Sequence, residues 1–266
     1  MPRPLAVQLY TFRDTTRPGA AGLGLDRETL EAVARIGYLG VETVDVPGGD
    51  PDAARRALED AGLQVTSSHS WADPSDLSAF ERAAAAIASL GSPRIIVSGG
   101  PFASVGEVDG FADQMSAAAG VAASHGLTLG YHNHNWEMHT VDRVPLYRRL
   151  KDRLDPSVVF QVDVFWVVVG GADPATVIDM LGDRVVSLHV KDGRTLPSSA
   201  GAEPFVNVAV GTGVVDVGSA IQAADRWPGI EWLIVEFDYT DGPPITAVQE
   251  SYTYLATHRL GRGSRP

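Results

Sequence analysis

The chain has 266 residues, 44% hydrophobic and 20% charged, with 33 acidic against 21 basic side chains, a net charge of −12 and no cysteine. These values exclude disulfide scaffolds, thiolate catalysis and sulfur-ligated metal centres, and they argue against nucleic-acid binding, which needs clustered Lys and Arg. No run approaches the roughly 20 apolar residues of a membrane span, and the opening MPRPLAVQLYTFRD lacks a signal-peptide core, so a cytoplasmic protein is expected.

Strand and helix patterns alternate along the whole chain. A strand at 5–10 precedes a helix at 26–36, opened by Asp26 with Leu30, Val33 and Ala34 as its apolar positions. A strand at 41–45 leads to a helix at 50–61, entered through Asp-Pro and stopped at Gly62. A strand at 65–69 is followed by an Ala-rich helix at 76–90 that ends before Gly91. Then come a strand at 94–98 and a helix at 105–125, stopped at Gly126. The remaining pairs are strand 128–133 with helix 145–152, strand 158–163 with helix 173–181, strand 185–190 with helix 218–225, and strand 232–237 with helix 245–260. Most strands are almost continuously apolar, as strands covered on both faces must be. Eight such units in a chain of this length predict one domain over 1–266, a closed parallel (β/α)₈ TIM barrel, with 261–266 a frayed tail. The stretch TFRDTTRPG after the first strand carries no dinucleotide fingerprint.

In such barrels the chemistry sits at the C-terminal ends of the strands. Four of the seven histidines fall there: His69, His132, His134 and His189. Asp163 closes the apolar run VVFQVD and Glu236 nearly closes WLIVEF. A carboxylate ending an apolar strand is costly to desolvate unless something compensates it, and one divalent cation compensates several at once. Oxygen and imidazole donors without sulfur suit Mn²⁺, Mg²⁺, Co²⁺ or Zn²⁺. Lys191, two residues past His189, either neutralises an oxyanion or pairs with Asp192. Glu137 is a metal or substrate contact or a solvated loop acid. Trp71, Trp136 and Trp166 all follow strand ends, where indole faces either pack on sugar C–H faces or simply fill space. Gly211, Thr212 and Gly213 read as a turn, because no basic residue accompanies them as a phosphate cradle would require. His125, His139 and His258 read as surface residues.

Seven segments in order carry a resemblance: VQLYTFRD, GYLGVE, YHNHNWEM, VDVFWVVVGGADP, LHVKD, VGTGVVD and IVEFD. The chain resembles the sugar phosphate isomerase/epimerase family, xylose isomerase-like barrels that also include inosose dehydratase and endonuclease IV. The resemblance implies one divalent metal held by His132, Asp163, His189 and Glu236, from strands 5 to 8. At the strand-5 position many family members carry glutamate, and a family epimerase pairs it with the strand-8 carboxylate as acid and base. His132 occupies that position here, either as a ligand or as a base with Glu137 reaching the metal.

The expected activity is metal-dependent isomerisation or epimerisation of a ketose, keto-sugar or keto-cyclitol through an enediolate. Glu236, His132, Glu137 and Lys191 are the candidate catalytic residues; His69, His134, Trp71, Trp136 and Trp166 are the candidate substrate contacts. Alternatives are elimination, as in an inosose dehydratase or a 3-keto-glycoside lyase, and a non-catalytic sugar-binding barrel. A nuclease like endonuclease IV conflicts with the net charge. A small-molecule sugar or cyclitol is the expected partner, with a homodimer allowed and neither nucleic acid nor membrane expected.

Overall fold

Eight short segments, most with apolar side chains on both faces and so without a water-facing side, meet that demand by pairing into a closed ring wrapped by helices. The structure, a computed structural model, describes residues 1–13, 26–46, 49–196 and 206–264. The ring strands are β1 (Arg3–Gln8), β2 (Gly40–Val44), β3 (Gln64–His69), β4 (Arg94–Ser98), β5 (Thr128–His132), β6 (Val159–Asp163), β7 (Val185–Val190) and β8 (Trp232–Val235). Each pairs in parallel with the next. β8 returns to β1, with Leu5 opposite Leu233 and Val7 opposite Val235, which closes the predicted barrel.

Around the ring lie α1 (Arg27–Ile36), α2 (Pro51–Ala61), α3 (Leu77–Ser89), α4 (Val105–Ser124), α5 (Leu146–Arg153), α6 (Val164–Val169), α7 (Pro174–Leu181), α8 (Val217–Ala224) and α9 (Pro244–Thr257). Asp26, Asp50, Asp76, Ser104, Asp173 and Asp216 cap six of them by accepting first-turn backbone N–H groups. Each such cap is worth about 1 kcal/mol. No helix among the described residues is long and apolar enough to cross a membrane.

Three local departures matter to the site. The first strand stops at Gln8 instead of residue 10, because the Gln8 side chain accepts the Tyr10 N–H and opens a 3₁₀ turn, Leu9–Phe12. Strand β8 stops at Val235, so Glu236 stands just past its end. The segment Val164–Val169, β-branched and given no element by sequence pattern, is the short helix α6, started by Asp163. At the C-terminus, Gly261–Arg262 does not fray: it pairs in parallel with Arg3 and Pro4 beside β1. Residues 265–266 of the expected frayed tail lie outside the described residues.

Strand register puts polar side chains inside the ring. Gln8 stands opposite Glu42, Glu42 opposite Ser67, and Gln161 opposite Ser187. Two residues further along β6 and β7, Asp163 stands opposite His189.

Candidate active site

At the C-terminal ends of the strands the barrel holds a cavity of about 140 Å³. His69, His132, His134, Lys191, Glu236 and Asp238 line it, with Tyr10, Trp71 and Trp166 among its walls. Trp71, at 70% exposed, stands edge-on to Tyr10 with ring centres 6.2 Å apart. Asp163 and His189 are fully buried behind this lining.

Three predicted residues converge. His189 Nδ1 lies 3.0 Å from Glu236 Oε2 and 3.9 Å from Asp163 Oδ2, and the donor atoms of all three fall within 4.8 Å of one another. Asp163 spends Oδ1 on the N–H of Trp166, which starts α6, while Oδ2 is buried without a hydrogen bond. Burial raises the Asp163 carboxyl, offset in part by Lys191 and His189. A carboxylate oxygen without a hydrogen bond, balanced by the Lys191 ammonium and set beside a histidine nitrogen and a second carboxylate, is a donor set that fits a divalent cation.

Lys191 does not pair with Asp192. Its Nζ lies 2.7 Å from Glu236, 2.8 Å from Asp238 and 3.2 Å from Asp163. Burial opposes its charge, but these three carboxylates hold the ammonium well above its usual range. Asp192 instead accepts the backbone N–H groups of Gly193, Gly211, Gly213 and Val215. The 211–213 turn expected from sequence is therefore folded around a buried carboxylate, and a Cβ on Gly213 would collide with Asp192 and with the Gly193 carbonyl.

His132 does not join the carboxylate group. It clusters with His69 and His189, with ring centres 4.8 and 4.7 Å away, and its Nδ1 lies 2.9 Å from Gln161 Oε1. Burial, then His189 and His69, push the His132 imidazole well below its usual range, so it is neutral. β5 ends at His132, yet His134 still reaches the cavity. Burial, then Lys191, lowers His134 to about 3.

Glu137 turns away from these groups. It is 1% exposed, accepts the Tyr131 hydroxyl and the His134 backbone N–H, and does not line the cavity. Burial pushes it up to about 7 against those hydrogen bonds. Trp136 stacks on His134 at 4.5 Å and is also absent from the lining, whereas Trp166 lies under Lys191. His125, His139 and His258 do not line it.

The residue with the most contacts in the site, Glu42 on β2, is one that sequence reasoning missed. Fully buried, it accepts Gln8 Nε2–H at 2.7 Å, Gln161 Nε2–H at 2.7 Å, the Ser67 hydroxyl and His189 Nε2–H. Burial would raise it, but His69 and His189 and these hydrogen bonds hold it at about 2. From the other side, burial opposes a charge on His189, and Glu42 and Glu236 together hold its imidazolium up to about 10. Burial would likewise raise Glu236, which Lys191 and His189 hold well below its usual range. Glu42, Gln8 and Gln161 share a signal available in the sequence: each is a long polar side chain directly following a valine or phenylalanine in a buried stretch of strand.

Comparison with known proteins agrees with this architecture. A sugar phosphate isomerase/epimerase from Parabacteroides distasonis superposes with a TM-score of 0.79 at 23% identity, covering 98% of this chain and 100% of that one. A 3-keto-D-glucoside 4-epimerase from E. coli gives 0.69 at 18% identity, covering 96% and 99%. A probable 3-DHS dehydratase from Bacillus anthracis gives 0.72 at 14% identity, covering 95% and 98%. In sequence, 183 residues are 23% identical to a 3-dehydroshikimate dehydratase of Pseudomonas putida, a match over 64% of this chain and only 29% of that longer protein. The family model described as xylose isomerase-like TIM barrel matches residues 30–258, and the chain belongs to that family.

Proposed function

We propose that this protein is a divalent-metal-dependent isomerase or epimerase that moves a proton beside the carbonyl of an uncharged ketose, keto-sugar or keto-cyclitol. The observation that carries the reading is the convergence of Asp163, His189 and Glu236, with Asp163 Oδ2 buried without a hydrogen bond and paired with the Lys191 ammonium at 3.2 Å. In this reading Asp163, Glu236 and His189 Nδ1 would hold the cation, with the Nδ1 proton released to solvent on binding, and Glu42 would keep the other nitrogen of His189 occupied, as an outer carboxylate does for a metal-bound imidazole. A cation there would supply Lewis acidity that makes the proton beside a carbonyl easier to remove. His132 faces the cavity as a neutral imidazole able to take that proton or to complete the ligand set. His69 and His134 offer hydrogen bonds to hydroxyl groups, and Trp71 and Trp166 offer faces for sugar C–H groups.

The charge around the cavity favours a neutral substrate. Glu42, Asp163, Glu236 and Asp238 face two cationic groups, Lys191 and His189. Among the described residues Lys191 is the one Lys or Arg in the lining, and it is already ion-paired, so a phosphate or carboxylate on the substrate finds no free cation among them. Elimination from the same carbanion remains the second reading, favoured by the likeness to two dehydratases. The test is a panel of neutral ketoses, keto-sugars and keto-cyclitols in D₂O, with Mn²⁺ and with chelator. Deuterium entering beside the carbonyl only with metal supports the proposal, and the product separates epimerisation from elimination. No exchange across the panel with loaded protein, or exchange that survives chelation, overturns it.

A further inference from the structure

Glu42 and Gln161 lie two residues before the C-terminal ends of β2 and β6, and they determine where the neighbouring imidazoles carry their protons. Glu42 Oε1 is 2.7 Å from Gln161 Nε2. An ionised carboxylate accepts only, so the amide must turn its NH₂ toward Glu42; the reverse orientation would set two acceptors against each other. Ser187 Oγ, 3.1 Å from the same nitrogen, accepts its second proton. Gln161 Oε1 is thereby aimed at two imidazoles, His69 Nε2 at 2.7 Å and His132 Nδ1 at 2.9 Å. Both nitrogens must donate. For His69 the requirement is doubled, because its Nε2 also lies 3.4 Å from Glu42 Oε2.

We propose that Glu42 and Gln161 are positioning residues that fix the tautomers of His69 and His132, so that His132 presents an unprotonated Nε2 to the cavity. A free neutral histidine prefers its proton on Nε2, which would leave His132 without the lone pair that a base or a metal ligand needs at that nitrogen. The relay removes that preference through a neutral amide and adds no charge beside the imidazole. Gln8 and Ser67 serve the same end by filling the remaining acceptor sites of Glu42. The use made of the bared nitrogen rests on the proposed proton-transfer reading; the tautomer assignment does not.

The test uses metal-free full-length protein carrying ¹⁵N-histidine, with long-range ¹H–¹⁵N correlation reporting which ring nitrogen holds each proton. The expected wild-type spectrum has His132 protonated on Nδ1 and His69 on Nε2. In Gln161→Leu the His132 proton should shift to Nε2, while His189, held directly by Glu42, keeps its pattern. In Glu42→Gln the amide of Gln161 is free to reverse, and the same shift should follow. A wild-type His132 protonated on Nε2 overturns the proposal without any variant, so a variant that fails to fold does not shield it. Unchanged tautomers in a folded Gln161→Leu protein overturn it as well. Correct tautomers in a protein that catalyses no exchange would reject the sugar reading and leave this one standing.

Discussion

A single ammonium, Lys191, sits among three carboxylates with 1% of its surface exposed. Removing one partner of a buried ion group strands the others and typically costs about 3–5 kcal/mol. Lys191→Met should therefore melt well below wild type when metal-free. Added Mn²⁺ should restore much of the difference, because the cation takes over the task of neutralising Asp163 and Glu236. Thermal melts with and without metal measure this, and a Met variant unaffected by cations would speak against the shared site. Asp163→Asn separates the two duties of that side chain. Asparagine caps helices as well as aspartate does, so α6 should persist, while the loss of the charged Oδ2 should weaken Mn²⁺ binding by more than about 100-fold in calorimetric titration, beyond the cost usual for an outer-shell partner. Asp163, His189 and Glu236 were legible in the sequence because charge at the end of an apolar strand has few structural uses. Glu42 and Gln161 lie inside their strands, where an isolated polar residue reads as an exception to the pattern. Their purpose appears only once register sets β1, β2, β3, β6 and β7 around one interior. Glu137 misled for the opposite reason: its place after β5 resembles a site position, but a buried hydroxyl, Tyr131, claims it.

Elements carry the site only if the connections between them are held. The clearest case is the segment after β7, where Asp192 collects four backbone N–H groups and folds residues 211–215 back against the barrel. Hydrogen bonds to a charged acceptor are worth about 1.5–3 kcal/mol each when removed singly, and those sharing one acceptor do not add. Asp192→Ala should lower the free energy of urea unfolding by at least about 3 kcal/mol. Asn207 ties the same segment to Asp238, its Oδ1 accepting the Asp238 N–H. The substitution should therefore also loosen the Asp238 side of Lys191 and slow any turnover. At this scale most of the fold was readable, because most helix starts carry their own chemistry. Asp26, Asp50, Asp76 and Asp173 open helices in the sequence and cap them in the structure, while Asp216 caps α8 ahead of the helix expected from 218. α6 was not readable. Its residues, VFWVVV, have strand propensity, and the helix exists because Asp163 caps it and Val164, Phe165, Trp166 and Val167 are all buried against the barrel.

For the whole molecule, buried titratable groups around the site make stability depend on pH in a window that can be worked out by sign. His132 and His134 are depressed by burial, His134 to about 3, so the unfolded chain binds protons there that the folded one refuses as pH falls below about 6.5. Stability present above that pH is lost on acidification, by about 1.4 kcal/mol per pH unit for each group. Glu137 acts in the other direction. Raised by burial to about 7, it binds a proton in the folded state before the unfolded chain does, which adds stability as pH falls from about 7 toward 4.5. His189, raised to about 10, adds nothing new below 6.5, because both states then hold its proton. Glu42, held at about 2, becomes a loss only below about 4.5. On acidification from pH 6.5, His132 and His134 refuse protons, while Glu137 and, further toward acid, Asp163 take them, so metal-free wild type should lose at most about 1.4 kcal/mol per pH unit. Glu137→Gln deletes the opposing group. Urea titrations of the metal-free variant between about pH 6.5 and 4.5 should give a slope steeper by about 1.4 kcal/mol per pH unit, and an unchanged slope would mean that Glu137 does not hold its proton in the folded barrel.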